Sequence, residues 1–219
     1  MRHFKHLSLA LVSMFTLAAV MVASASAAHM TLPSWTVATP STGTSGEGKL
    51  VSKAGTITCK SDTSSTSAGT NLGTYTIDFK ECEETKNKVA CNTKGDAAKT
   101  ILTEGTWHLV LKTSGSADVR MLWFLLKTST LECTALATII LRGNLLGGIE
   151  PAGKSTTHYS IKVALNGAGG QEYTSFENEN GTIVDANLES NLNGGAFSAA
   201  TEASAGNNIT TEKLTEIIN

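Results

Sequence analysis

The chain lacks the surplus of positive charge that a nucleic-acid surface requires. Of its 17 Lys and Arg, Arg2 and Lys5 fall in the opening segment, which leaves 15 basic against 19 acidic residues, a formal charge of −4. A protein that tracks a phosphate backbone needs a basic face, so nucleic acid is excluded as a partner. After residue 30 no apolar run is long enough for the roughly 20 residues of a membrane-spanning helix. Close cysteine pairs of the structural-zinc kind are also missing. The gaps between Cys59, Cys82, Cys91 and Cys133 are 22, 8 and 41 residues, and His29, His108 and His158 are scattered. There is no G-x-S-x-G nucleophile elbow. "GNLLGG" and "NGAGGQ" complete neither a P-loop nor a dinucleotide fingerprint and read as turns. With only three tryptophans, two of them (Trp107 and Trp123) in apolar runs that suggest burial, a sugar-stacking surface has little material; Trp35 is the one expected to be exposed.

What is present begins with an address. Residues 1–27 combine a short basic head, an apolar run from Leu7 to Val22, and small residues at which cleavage after Ala25, Ala27 or Ala28 would each fit. That layout is a secretory signal peptide. The mature chain is therefore expected to be secreted, extracellular or at the cell envelope, with no stable membrane insertion after cleavage. Residues 28–54, which include "TVATPSTGTSGEG", read as a flexible polar leader. Residues 55–219 read as a single antiparallel β domain.

An even number of cysteines in an exported chain points to disulfides, because no reducing pool acts there. Three pairings exist. The loop formed by residues 83–90 brings its ends together, which favours Cys82–Cys91 and leaves Cys59–Cys133.

The hydrophobic pattern has a period of two. Tyr75, Ile77 and Phe79 alternate with Thr74, Thr76 and Asp78. Trp107, Leu109 and Leu111 oppose Thr106, His108 and Lys112. Tyr159, Ile161, Val163 and Leu165 oppose His158, Ser160 and Lys162. Such alternation marks half-buried antiparallel strands. Met121 to Leu126 is apolar on both faces and is expected to be a central strand covered on both sides. Residues 137–143 form another strand. Glycine is abundant and proline scarce, at 20 and 3 residues, which suits many turns between strands. The fold class is all-β, an antiparallel sandwich or barrel. From about residue 166 the composition turns to Asn, Gly, Ala, Ser and Glu, and from Val163 onward eight acidic residues face one basic, Lys213. Those residues are expected to form outer strands and long loops, and "TTEKLTEIIN" at the end could form a short helix.

The order of "GTITCKSD", "YTIDFKECE", "ACNTKGDAAKTILTEGTWHLVL", "LECTALATIILRGNLLGGIEP" and "GAGGQEYTSFENENG" resembles a large paralogous set of secreted proteins of unknown function from soil actinobacteria. The resemblance covers most of residues 55–180 and implies an exported β-rich fold with a stapled hairpin. It implies no activity. The chain departs from the pattern at Glu81, where glycine is usual, and at Lys99-Thr100, where Gly-Glu is typical.

For chemistry, His108 is the best candidate base, on the polar side of a strand beside Glu104 and Trp107. Calcium, which takes hard oxygen ligands, finds candidates in Glu177, Glu179 and Asp185, with Asn178 and Asn180 between, although the acidic stretch also serves as a solvated edge that discourages strand pairing. No cofactor is expected. The function read from these residues is an exported non-catalytic β protein, a structural or binding module with envelope or carbohydrate contact. The alternatives are a small secreted hydrolase using His108, and an inhibitor-like protein acting through the 83–90 loop.

Overall fold

The computed structural model describes residues 33–112, 120–134, 136–152, 154–178 and 180–217. The signal-peptide segment lies outside the described residues. Among those described there is no helix, and the fold is all-β, as the period-two pattern predicts.

The strand segments assemble into eight long staves, each antiparallel to its neighbours. The register shows which segments belong together. Ser41–Ser45 and Gly48–Ser52 run on as the first stave, and Gly55–Cys59 and Ser61–Thr66 as the second. Ser41 faces Thr66, Gly48 faces Cys59 and Ser52 faces Gly55 in one unbroken register. Leu72–Lys80 and Glu83–Glu84 form the third stave, and Val89–Thr93 and Thr100–Leu111 the fourth. Arg120–Cys133 and Ala137–Glu150 are the fifth and sixth. The seventh consists of Thr156–Val163 and Leu188–Leu192, and the eighth of Phe197–Ala199 and Thr201–Leu214.

The eighth stave then returns to the first: Gly206 faces Ser45 and Thr210 faces Ser41. This closes an up-and-down barrel and leaves no free edge along the circuit, which removes the aggregation hazard of an open sheet. The residues expected to be a flexible leader are therefore corrected in part: 41–52 are a stave of the barrel. A period-two reading misses them because both faces are polar. Ser41 and Gly43 face inward where Thr42 and Thr44 face solvent.

The interior holds Tyr75, Trp107, Leu109, Leu122, Phe124, Leu145, Tyr159 and Val163 in one cluster. Ser34–Trp35 pairs with Glu216–Ile217 across one mouth. Trp35 is 8% exposed, its ring 5.9 Å from that of Tyr159. The expectation that Trp35 is exposed is corrected; its indole is part of the end of the core.

Between Val163 and Leu188 the seventh stave is interrupted by an excursion that lies over the outside of the barrel. Phe176, Val184 and Ala186 pack there against Val110, Met121, Trp123 and Leu146. This outer layer is why Met121–Leu126 is apolar on both faces: Leu122 and Phe124 point into the barrel, Met121 and Trp123 under the excursion. Where the stave is missing, Gln171 Oε1 accepts the hydrogen bond of the Glu202 amide at 2.6 Å. "NGAGGQ" is thus a turn, with Gly169 N donating to Asn166 O at 2.9 Å. "GNLLGG" is not. It runs along the sixth stave, with Gly143 (φ 107°) at the register shift between the fifth and sixth. A Cβ there would meet Asn187 O at 2.0 Å, so the residue serves a bulge. Residues 210–214 and 216–217 are strand, not helix, because Leu214 is buried in the barrel interior.

The cysteines lie in one row across staves two to five. Cys59 faces Cys82, Cys82 faces Cys91, and Cys91 faces Cys133 in the registers of these strands. The bonds formed are Cys59–Cys82 and Cys91–Cys133, with Cα–Cα 4.0 and 4.1 Å. The expected Cys82–Cys91 and Cys59–Cys133 bridges are corrected. Cys82 and Cys91 are joined through their backbones, Cys91 N donating to Cys82 O at 3.0 Å. Hydrogen-bonded partners sit about 1 Å further apart than non-hydrogen-bonded ones, so the sulfurs bridge to the outer neighbours instead. All four are buried among Ile57, Ile101, Leu131 and Ile139 at the barrel's other end.

Glu81 (φ 54°) and Lys99 (φ 64°) both sit in the left-handed region. A side chain there costs about 1 kcal/mol or more. The backbone turn is kept: Cys82 N donates to Lys99 O at 3.0 Å, and Lys99 pairs with Glu83 at 3.2 Å. Lys99→Gly is expected to raise stability by about 0.5–1 kcal/mol, the relieved strain exceeding the unfolded-chain entropy that glycine adds. Urea unfolding of the two proteins checks this, and an unchanged or lower midpoint would contradict it.

Candidate functional site

The barrel interior holds a cavity of about 120 Å³. Its walls are Leu50, Ile57, Ile77, Phe79, Phe124, Leu126, Leu145, Ile161 and Val163, drawn from six of the eight staves. Into this apolar chamber project the polar side chains of Asp62, Ser64 and Thr66 on the second stave, Thr103 on the fourth, and Glu202, Ser204 and Asn208 on the eighth. They come inward by the same alternation that turns Thr63 and Ser65 to solvent.

Two carboxyls dominate the chamber. Asp62 is buried, and Ser45 Oγ donates to its Oδ2. Burial pushes the Asp62 carboxyl above its ordinary value, and the Ser45 hydrogen bond pulls the other way. Glu202 is partly exposed as a residue, yet its Oε1 is buried with no hydrogen-bond partner. Burial pushes its carboxyl up to about 7; a hydrogen bond from Ser204 opposes this, and the Asp62 charge adds to it. Tyr75 is also raised, by burial first and then by the Glu202 charge. Lys49 is the basic residue among those lining the cavity, and its ammonium pairs with Glu47 at 2.8 Å on the half-exposed outside. No cation among the lining residues therefore faces either carboxyl.

The residues singled out from the sequence lie elsewhere. His108 is on the outer wall, its ring 5.4 Å from Trp123, which in turn lies 4.8 Å from Phe176. Partial burial lowers the His108 pKa. Among the described residues it has no hydrogen bond to a serine, threonine or cysteine, so no nucleophile is set against it. Glu177 and Asp185 sit at opposite ends of the outer hairpin, facing Ile183 and Ser175 respectively, and Glu179 lies outside the described residues. Asn178 Oδ1 is used within the turn, accepting from the amides of Asn180 and Thr182 at 3.0 and 2.9 Å. Among the described residues no three His, Cys, Asp or Glu side chains gather as a metal site.

The 83–90 loop is held by a carboxylate rather than by its own disulfide. Glu84 accepts from the amides of Lys86 and Asn87 at 3.1 and 2.6 Å and from Asn87 Nδ2 at 2.8 Å. Those hydrogen bonds to the charged form lower its pKa.

Asp62 and Glu202 are the residues that sequence reasoning missed. Each is a lone acid in a polar stretch, and only closure of the barrel unites them. For Asp62 a signal was nevertheless present: "SDTSST" lacks apolar alternation within an otherwise alternating domain. No family model matches the chain, and no curated protein or solved structure matches it.

Proposed function

We propose that this protein is an exported, non-catalytic binding barrel, active outside the cell or at its envelope, which encloses a small and largely apolar ligand. The observation that carries the reading is the interior cavity of about 120 Å³ with apolar walls and a few convergent polar groups. Eight staves are enough for a barrel to hold one small ligand, and an apolar pocket with perturbed titratable groups is the usual form of a ligand site. An engineered apolar cavity of about 150 Å³ takes up benzene, so the chamber has the right scale for a single ring or a short alkyl chain. Export is supported by the leader sequence and by the two disulfides, which persist in oxidising compartments. No described helix is long and apolar enough to cross a membrane.

Toluene is a suitable neutral probe. Titrated into methyl-labelled protein, it is expected to shift the interior methyls of Leu145, Ile161 and Val163 saturably while leaving those of Ile183 and Ile209, which are exposed, in place. Thr103→Leu, which adds carbon to the cavity wall, should weaken binding at least about tenfold. Shifts confined to surface methyls would end the reading.

A further inference from the structure

From the two carboxyls inside the barrel we infer that the occupant is a small organic amine, its ammonium group held by Glu202 and Asp62 and its apolar body against Phe124 and Leu145. This rests on the binding reading above and narrows it to a charge class.

The chamber asks for a cationic donor. Glu202 lines the cavity, and its Oε1 is buried with no partner in the protein; a polar atom in that state costs free energy until something donates to it. Asp62, 6% exposed, supplies a second acceptor group in the same chamber. The neutral polar groups nearby are already engaged. Ser64 Oγ donates to Asn208 Oδ1 at 3.4 Å, and Asn208 Nδ2 donates to Gly206 O at 3.3 Å. The Lys49 ammonium is held outside by Glu47. With no cation facing it, burial drives the Glu202 carboxyl to about 7; an ammonium in the chamber would remove that penalty.

Other ligand classes fit less well. An anionic amphiphile would bring a third negative group into a low-dielectric space already holding two carboxyls, where like charges repel strongly. A divalent cation such as calcium takes six to eight oxygen ligands, but among the described residues no three acidic, histidine or cysteine side chains gather to hold one, and the neutral oxygens of the chamber are engaged with one another. The volume, about 120 Å³, favours a free small amine over a lysine side chain on a partner protein, whose backbone would also have to enter the barrel.

Benzylamine, benzyl alcohol, toluene and benzoate share a ring and differ in charge, so calorimetric titration of each at pH 7.5 separates the possibilities. Benzylamine is expected to bind at least tenfold more tightly than toluene or benzyl alcohol, and benzoate more weakly than all three. Glu202→Gln and Asp62→Asn should each reduce benzylamine affinity about tenfold and change toluene affinity by less, so that the preference for the amine over toluene falls. Equal affinity for benzylamine and toluene, tighter binding of benzoate, or no loss in either variant would overturn the amine assignment while leaving the binding barrel in place. If none of the four probes binds, both readings fall.

Discussion

Removing both disulfides is expected to cost the protein most of its stability, on the order of 7 kcal/mol. The bridges span 23 and 42 residues. On the chain-entropy model loops of those lengths stabilise by roughly 3.5 and 4 kcal/mol. The two loops do not overlap in sequence, so their unfolded-chain entropies add to a first approximation. Whole-domain stability is commonly about 5–15 kcal/mol, so a reduced chain is left with little. The buried sulfurs also fill one end of the barrel beside Ile57, Ile101, Leu131 and Ile139. Each bridge should therefore be removed as a pair, Cys59→Ala with Cys82→Ala and Cys91→Ala with Cys133→Ala, and compared by guanidinium unfolding. The Cys91–Cys133 pair should show the larger loss, and the quadruple variant should be unfolded or nearly so at 37 °C. A quadruple variant that melts within a few degrees of the parent would contradict this.

The second large effect is a stability that falls as pH rises through neutrality. Glu202 has a folded-state pKa raised from its ordinary 4.5 to about 7, and Asp62 is raised as well. For a raised carboxyl the stabilising contribution is complete below the unfolded-state value and is lost as pH climbs through the folded one. The barrel should thus be more stable at pH 5 than at pH 8, by roughly 2–3 kcal/mol from Glu202. Glu81 and Glu84, whose pKa values are lowered by hydrogen bonds, work in the opposite sense, but their contribution is lost only on acidification below their ordinary range; His108, lowered by partial burial, also opposes Glu202 within the interval, so the Glu202→Gln comparison isolates the carboxyl. Glu202→Gln should raise stability at pH 8 and flatten the slope between pH 5 and 8. Melting temperatures across that interval decide it. A parent protein more stable at pH 8 than at pH 5 would refute the buried-carboxyl assignment.

The legible and illegible parts of the fold divide along a physical line. Staves three, four and seven carry an apolar inward face opposite a polar outward one, so Tyr75-Ile77-Phe79, Trp107-Leu109-Leu111 and Tyr159-Ile161-Val163 announce themselves. The fifth was readable for the opposite reason, because its outer face is covered too. Staves one and two were not, since Ser41, Gly43, Asp62, Ser64 and Thr66 face the interior where apolar residues are the rule. Sequence rules tend to fail at functional sites, where packing is sacrificed, and three of these five, Asp62, Ser64 and Thr66, line the chamber.

The existence of disulfides followed from composition, whereas their partners did not. Local loop closure favoured Cys82–Cys91, yet a row of four cysteines in register allows three lateral pairings, and hydrogen-bond alternation chooses among them. The terminal "TTEKLTEIIN" could favour a helix in isolation, but burial of Leu214 and pairing of 216–217 with 34–35 override so short a tendency.

The central claim is that the chain closes on itself, its last stave against its first, so that an interior exists at all. Cross-strand nuclear Overhauser contacts between residues 41–45 and 206–210 test it most directly. Closure predicts contacts in the register Ser41 to Thr210 through Ser45 to Gly206, with slowly exchanging amides on both strands. Contacts missing across that seam, with fast exchange along 41–45, would mean an open sheet and no chamber.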